Sequence, residues 1–81
     1  MKKVVLYTRL RCHLCEVMKA QLDDIRARNP FDLSVFDIDE DPELRRLYNE
    51  EVPVLVVEGE KIAKYRLDAD MLLRRLQESA A

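Results

Sequence analysis

The chain has 81 residues, 48% of them hydrophobic, with 14 basic and 16 acidic side chains and a net charge of −2. That length bounds one small domain, 1–81, with a thin core, and a single glycine with three prolines excludes a disordered or loop-rich scaffold. The near balance of charge excludes an electrostatic case for nucleic acid, and no polybasic run or apolar stretch of about 20 residues supports membrane binding or crossing.

The elements follow in chain order. The run KKVVLYT, 2–8, is β-branched and apolar and is predicted as a buried first strand. From Cys12 the period changes. Leu14, Met18, Leu22 and Ile25 share one helical face, and Glu16, Lys19, Asp23 and Arg26 lie away from it. Asn29-Pro30 ends this helix. DLSVFDI, 32–38, is predicted as a second strand. Asp41-Pro42-Glu43 starts a short helix, with an acidic cap, proline at the first position and an acid near the positive end. Leu44, Leu47 and Tyr48 give that helix its inward side. VPVLVV, 52–57, is predicted as a third strand. The turn Glu58-Gly59-Glu60 leads into KIAKY, 61–65, as a hairpin. Asp68 caps a last helix whose buried stripe is Leu72, Leu73 and Leu76.

The predicted order is βαβαββα, an α/β fold with a four-stranded mixed sheet and three helices. The first two strands join through a helix and are expected to lie parallel, with a right-handed crossover. The last two are expected to be antiparallel. Lys2 and Lys3 precede only Val4 to Thr8 before Arg9, too short a run for a signal peptide. The expected compartment is therefore the cytoplasm, where thiols are held reduced. The expected state is a monomer.

Both cysteines fall in RLRCHLC, as Cys12 and Cys15, beside the only histidine, His13. Two cysteines are too few for a disulfide framework. Their position matters more than their spacing, because they sit where the first strand gives way to a helix. A first helical turn leaves backbone N–H groups unpaired and carries about half a positive charge. A thiolate placed there is stabilised, which lowers its pKa from about 8.5. Cys12 is expected at the cap, beside those donors, and Cys15 one turn deeper and more covered. That asymmetry makes Cys12 the attacking thiol and Cys15 the resolving one. Arg9 and Arg11 add positive charge, and a protonated His13 would add more.

Metal binding is the rival chemistry. A closed zinc site takes about four Cys or His ligands, and this chain has three such residues in all. Two thiolates suffice for Cu(I), or for half of an Fe–S cluster bridging a dimer. Small copper carriers place Met two residues before the first Cys, where this chain has Leu10, and their element order is βαββαβ. A third reading is a scaffold with little catalysis.

VVLYTRLRCHLC resembles the opening of glutaredoxins, a strand ending in Tyr-Thr and a basic residue, here Arg9, three before the first Cys. EVPVLVV resembles their Thr-Val-Pro segment. The chain thus resembles the glutaredoxin-like branch of the thioredoxin fold over nearly its whole length. The resemblance implies a thiol–disulfide oxidoreductase acting on disulfide-containing or glutathionylated proteins, re-reduced by glutathione or a flavoprotein reductase, with no tightly bound cofactor. It implies a cis Val52-Pro53 bond facing the cysteines, with the Val52 backbone pairing to the substrate backbone. It thus places Arg9, Val52 and Pro53 around the substrate, and Arg11 and His13 join them through their charge beside Cys12.

Cys12-His13-Leu14-Cys15 departs from the glutaredoxin Cys-Pro-Tyr-Cys. Ala63 and Lys64 stand where that family has two glycines that help hold glutathione, and Arg66 and Leu67 follow. The site and the Leu-Asp before the last helix look most like an uncharacterised glutaredoxin-like branch. Thioredoxins also bury an acid on a central strand, and the first strand here has none. Glu16 and Glu51 are the candidate substitutes, although the preferred reading of each is a plain surface residue.

Overall fold

The computed structural model describes residues 1–78. Four strands form, β1 (Lys3–Thr8), β2 (Asp32–Asp37), β3 (Val54–Val57) and β4 (Glu60–Lys64). Three α-helices accompany them, α1 (His13–Arg28), α2 (Pro42–Tyr48) and α3 (Ala69–Gln77). The sheet order is β2-β1-β3-β4. β1 pairs with β2 in parallel, from Lys3 opposite Asp32 to Thr8 opposite Asp37. β1 and β3 are antiparallel, as are β3 and β4. The fold is the expected mixed four-stranded sheet with three helices.

Alternation along the strands divides the molecule into two layers of packing. Val4 and Leu6 of β1 face the same way as Leu55 and Val57 of β3, their register partners. On them pack Met18 and Leu22 of α1, Leu72 of α3, and Phe31 from the link between α1 and β2, all buried in one cluster. Burying each of these large apolar side chains stabilises the fold by about 1.5–3 kcal/mol before the entropy of ordering is subtracted. On the opposite face, Tyr7 stacks on Tyr48 of α2 with ring centroids 4.6 Å apart.

Capping follows the sequence. The Asp41 carboxylate accepts from the Glu43 N–H at 2.9 Å, with Pro42 starting α2. The Asp68 carboxylate accepts from Asp70 and Met71 N–H at the start of α3. Each such cap is worth about 1 kcal/mol. Glu58 and Gly59 both have positive φ, 49° and 82°, and form the two-residue turn between β3 and β4. That mirror-image turn matches the twist of the flanking strands.

Three sequence expectations need correction. β3 starts at Val54, not Val52, because Val52 follows a 3-10 turn over Asn49–Glu51 and Pro53 has no N–H for the ladder. β4 covers Glu60–Lys64 and stops before Tyr65, whose φ of 68° breaks the strand. Leu47 is 48% exposed. Leu44 and Tyr48, one turn apart, take the inward side of the short helix, and Leu47 lies off that line.

Candidate active site

β1 ends at Thr8, and the chain turns at Leu10 and Arg11. Arg11 has φ 61°, in the left-handed region that a residue with a side chain rarely adopts. The turn delivers Cys12 to the cap of α1 in an extended conformation. Its Sγ accepts from the Cys15 N–H at 3.1 Å, as an oxygen cap would. One first-turn donor of α1 therefore points at the sulfur of Cys12.

Cys15 lies one turn further on and is 3% exposed, packed with Ile38 and Val52. Cys12 is half-buried at the edge of the same cluster. The two are joined as a disulfide, with Cα atoms 5.2 Å apart. The depth difference expected from their spacing is present.

The Val52-Pro53 bond is cis, as the resemblance implied, and both residues are buried. The Pro53 carbonyl accepts from the Tyr65 N–H at 2.9 Å, tying the loop after β4 to the loop before β3. Val52 reaches Cys15 through the shared cluster, so these loops and the cysteines meet at one end of the sheet.

The charged residues divide into two sets. Arg11 and His13 flank Cys12 and are exposed, His13 as the first residue of α1. Arg9 is engaged. Its Nε and Nη2 donate to the two oxygens of Asp39, each at 3.0 Å, and its Nη1 donates to the Asn49 carbonyl at 3.3 Å. Arg45 adds a second guanidinium, 3.2 Å from Asp39. Hydrogen bonding from Arg9 holds the Asp39 carboxyl below the usual carboxylate range and raises the Arg9 guanidinium in turn. Glu51, next to Val52, pairs with Lys64 at 3.4 Å and Lys61 at 3.6 Å. The Lys64 hydrogen bond, with the charge of Lys61, lowers the Glu51 carboxyl. Glu16 sits exposed in the first turn of α1.

Sequence reasoning missed the aromatic and acidic neighbours. Tyr7 and Tyr48 pack beside Cys12 and Cys15, and Phe36 stacks on Tyr7 with centroids 6.0 Å apart. Burial raises the Tyr7 phenol, and Tyr48 raises it further. The Tyr-Thr ending of β1 was the available signal, since alternation puts Tyr7 opposite the larger core. Asp39 and Asn49 gave none, because their partner lies on the other side of the sheet crossover. No charged side chain is buried among the described residues. Among those residues no group of three or more His, Cys, Asp or Glu converges, so the reduced thiols are the available soft ligands. None of the described helices is long and apolar enough to cross a membrane.

Comparison with known proteins agrees with this geometry. Residues 3–77 match the family model described as Glutaredoxin-like domain (DUF836). The solution structure of Ne2328 from Nitrosomonas europaea is 41% identical, with 90% of this chain and 88% of that chain covered and a TM-score of 0.79. The crystal structure of XcR50 from X. campestris is 32% identical, covering 90% and 93%, with a TM-score of 0.69. The holo form of glutaredoxin C1 from Populus tremula x tremuloides, at 21% identity, covers 91% and 82% with a TM-score of 0.68 and shares the fold. No curated protein sequence matches the chain.

Proposed function

Because the chain belongs to the glutaredoxin-like domain family, we propose that it is a thiol–disulfide oxidoreductase of the cytoplasm, cycling Cys12 and Cys15 between dithiol and disulfide. The observation that supports this reading most directly is the unequal placement of the two sulfurs. Cys12 caps α1 and takes the Cys15 N–H, while Cys15 is buried behind it.

In the reduced protein that N–H and the helix dipole favour the Cys12 thiolate over the thiol. The thiolate attacks one sulfur of a substrate disulfide, and the other sulfur leaves as a thiolate. Cys15 then gives up its proton and attacks Cys12 Sγ. The mixed disulfide breaks, the second substrate thiolate is released, and the Cys12–Cys15 disulfide remains. The substrate has gained two electrons and the protein has lost two. Val52 and Pro53 line the approach, with the Val52 backbone offered to the substrate chain. Arg11 and His13 supply positive charge at the rim. Arg9, held by Asp39 and Asn49, fixes the loop that carries Cys12. The substrates are disulfide-containing or glutathionylated proteins, and a thiol or flavoprotein donor returns the electrons.

The test is equilibration of the purified protein with thiol–disulfide buffers, followed by mass analysis of the alkylated cysteines. The expected result is a reversible Cys12–Cys15 couple within about −270 to −200 mV, the span of the thioredoxins and glutaredoxins. Failure of the two thiols to pair under any poise would refute the proposal.

A further inference from the structure

The cations around Cys12 are not equally available. Arg9 spends both arms of its fork on Asp39. Lys61 and Lys64 share the Glu51 carboxylate. These two clusters bracket the site. Arg9 lies on the loop between β1 and Cys12, and Glu51 immediately precedes the Val52-Pro53 segment packed against Cys15. An anionic thiol with a carboxylate at each end would need a cation on each side of the reacting sulfur. Here each side holds its own carboxylate.

The remaining cations are exposed. Arg11 and His13 sit in solvent beside Cys12, and Arg66 lies in the loop after β4. Each is a single exposed charge that adds little alone to the binding of a mobile anion, whereas Lys61 and Lys64 converge on one carboxylate and would act as a pair. Between Arg66 and α1 runs a groove of about 310 Å³ whose walls include Leu14, Val17, Tyr65 and Leu67. On the other side of the cysteines, Leu10 is 77% exposed. Apolar side chains thus stand close to the cysteines, interleaved with single exposed cations.

Resting on the redox reading above, we propose that Asp39 and Glu51 are specificity-determining residues that withhold Arg9, Lys61 and Lys64 from anionic thiols such as glutathione. The site then favours cysteines of proteins set among uncharged, apolar neighbours. The relevant step is reduction of the Cys12–Cys15 disulfide. A thiolate attacks Cys12 Sγ, a new S–S bond forms, and Cys15 leaves as a thiolate that takes up a proton. A second thiolate attacks the sulfur of the bound thiol, releases Cys12 as a thiolate, and carries away the small disulfide. Two electrons pass from two thiols to the protein.

The experiment compares rates of reduction of the oxidised protein by glutathione, by glutathione diethyl ester and by dithiothreitol, each corrected for its thiolate concentration. In the wild type, glutathione should react no faster than its diester. In Asp39→Asn, Glu51→Gln and the double variant, the ratio of free acid to diester should rise, by about tenfold in the double variant at low salt, and fall back with added salt. A general structural loosening would change all three rates together and leave that ratio unmoved. Should Asp39→Asn fail to fold, Glu51→Gln and the wild-type ratio decide. A wild type that reacts faster with the free acid, or variants with an unchanged ratio, would overturn the inference. If dithiothreitol also leaves the disulfide closed, the redox reading itself falls, and this inference falls with it.

Discussion

The two buried clusters do different work. On one face, Val4, Leu6, Leu55 and Val57 meet Met18, Leu22, Phe31 and Leu72 in a closed cluster of large side chains. At the end of the sheet where the cysteines lie, a smaller cluster buries Cys15, Ile38 and Val52, with Tyr7, Leu44, Tyr48 and Cys12 at the edges. The larger cluster holds the apolar area that folding needs. The smaller one holds Cys15 in place and leaves Cys12 at its rim. Stability and chemistry are therefore separable by mutation, although both are built on β1.

Four substitutions and one change of condition test that separation, from the largest expected effect down. Cys12→Ser should reduce turnover to background while thermal unfolding of the reduced protein stays close to that of the reduced wild type. Leu22→Ala should do the opposite. It should cost about 3–5 kcal/mol in denaturant unfolding, a large share of the total stability of so small a domain. What remains folded should keep the Cys12 reactivity. Ile38→Val, in the smaller cluster, should cost about 1 kcal/mol and change the rate of Cys15 alkylation more than the unfolding midpoint. Asp68→Ala removes the cap of α3, outside the cluster that holds the cysteines, and should cost about 1 kcal/mol with little change in thiol reactivity.

The smallest effect is that of pH. Asp39 and Glu51 are held below the ordinary carboxylate range in the folded protein. The unfolded chain therefore binds protons on these groups more readily than the folded one. Their contribution to stability is present above the ordinary range near pH 4 and is lost as pH falls through it into the depressed folded-state values. Both groups are exposed, so the loss should be slight. Unfolding curves across that range for the wild type and the Asp39→Asn, Glu51→Gln double variant should converge at the acid end.

The larger cluster was the more legible of the two. Met18 and Leu22 recur at helical spacing, and β1 and β3 are runs of β-branched and aliphatic residues. Local pattern was enough because these residues only need to face one way. At the site, the cap position of Cys12 and the depth of Cys15 followed from the strand-to-helix junction, and the cis bond at Val52-Pro53 from resemblance. Other features depended on partners far along the chain. Arg9 and Asp39 are 30 residues apart in sequence, and an ion pair across a crossover leaves no periodic trace. The positive φ of Arg11 had no glycine or asparagine to announce it. The 3-10 turns at Ile38–Glu40 and Asn49–Glu51 are too short for a hydrophobic period to show.

The assignment of roles to the two sulfurs rests on Cys12 at the helix cap and Cys15 beneath it. The most direct measurement is mass analysis of the adducts that each single-cysteine protein forms with a peptide disulfide. Cys15→Ser should hold a stable mixed disulfide at Cys12, formed rapidly at neutral pH. Cys12→Ser should form its adduct far more slowly. Rapid capture at Cys15 in the Cys12→Ser protein would contradict the account.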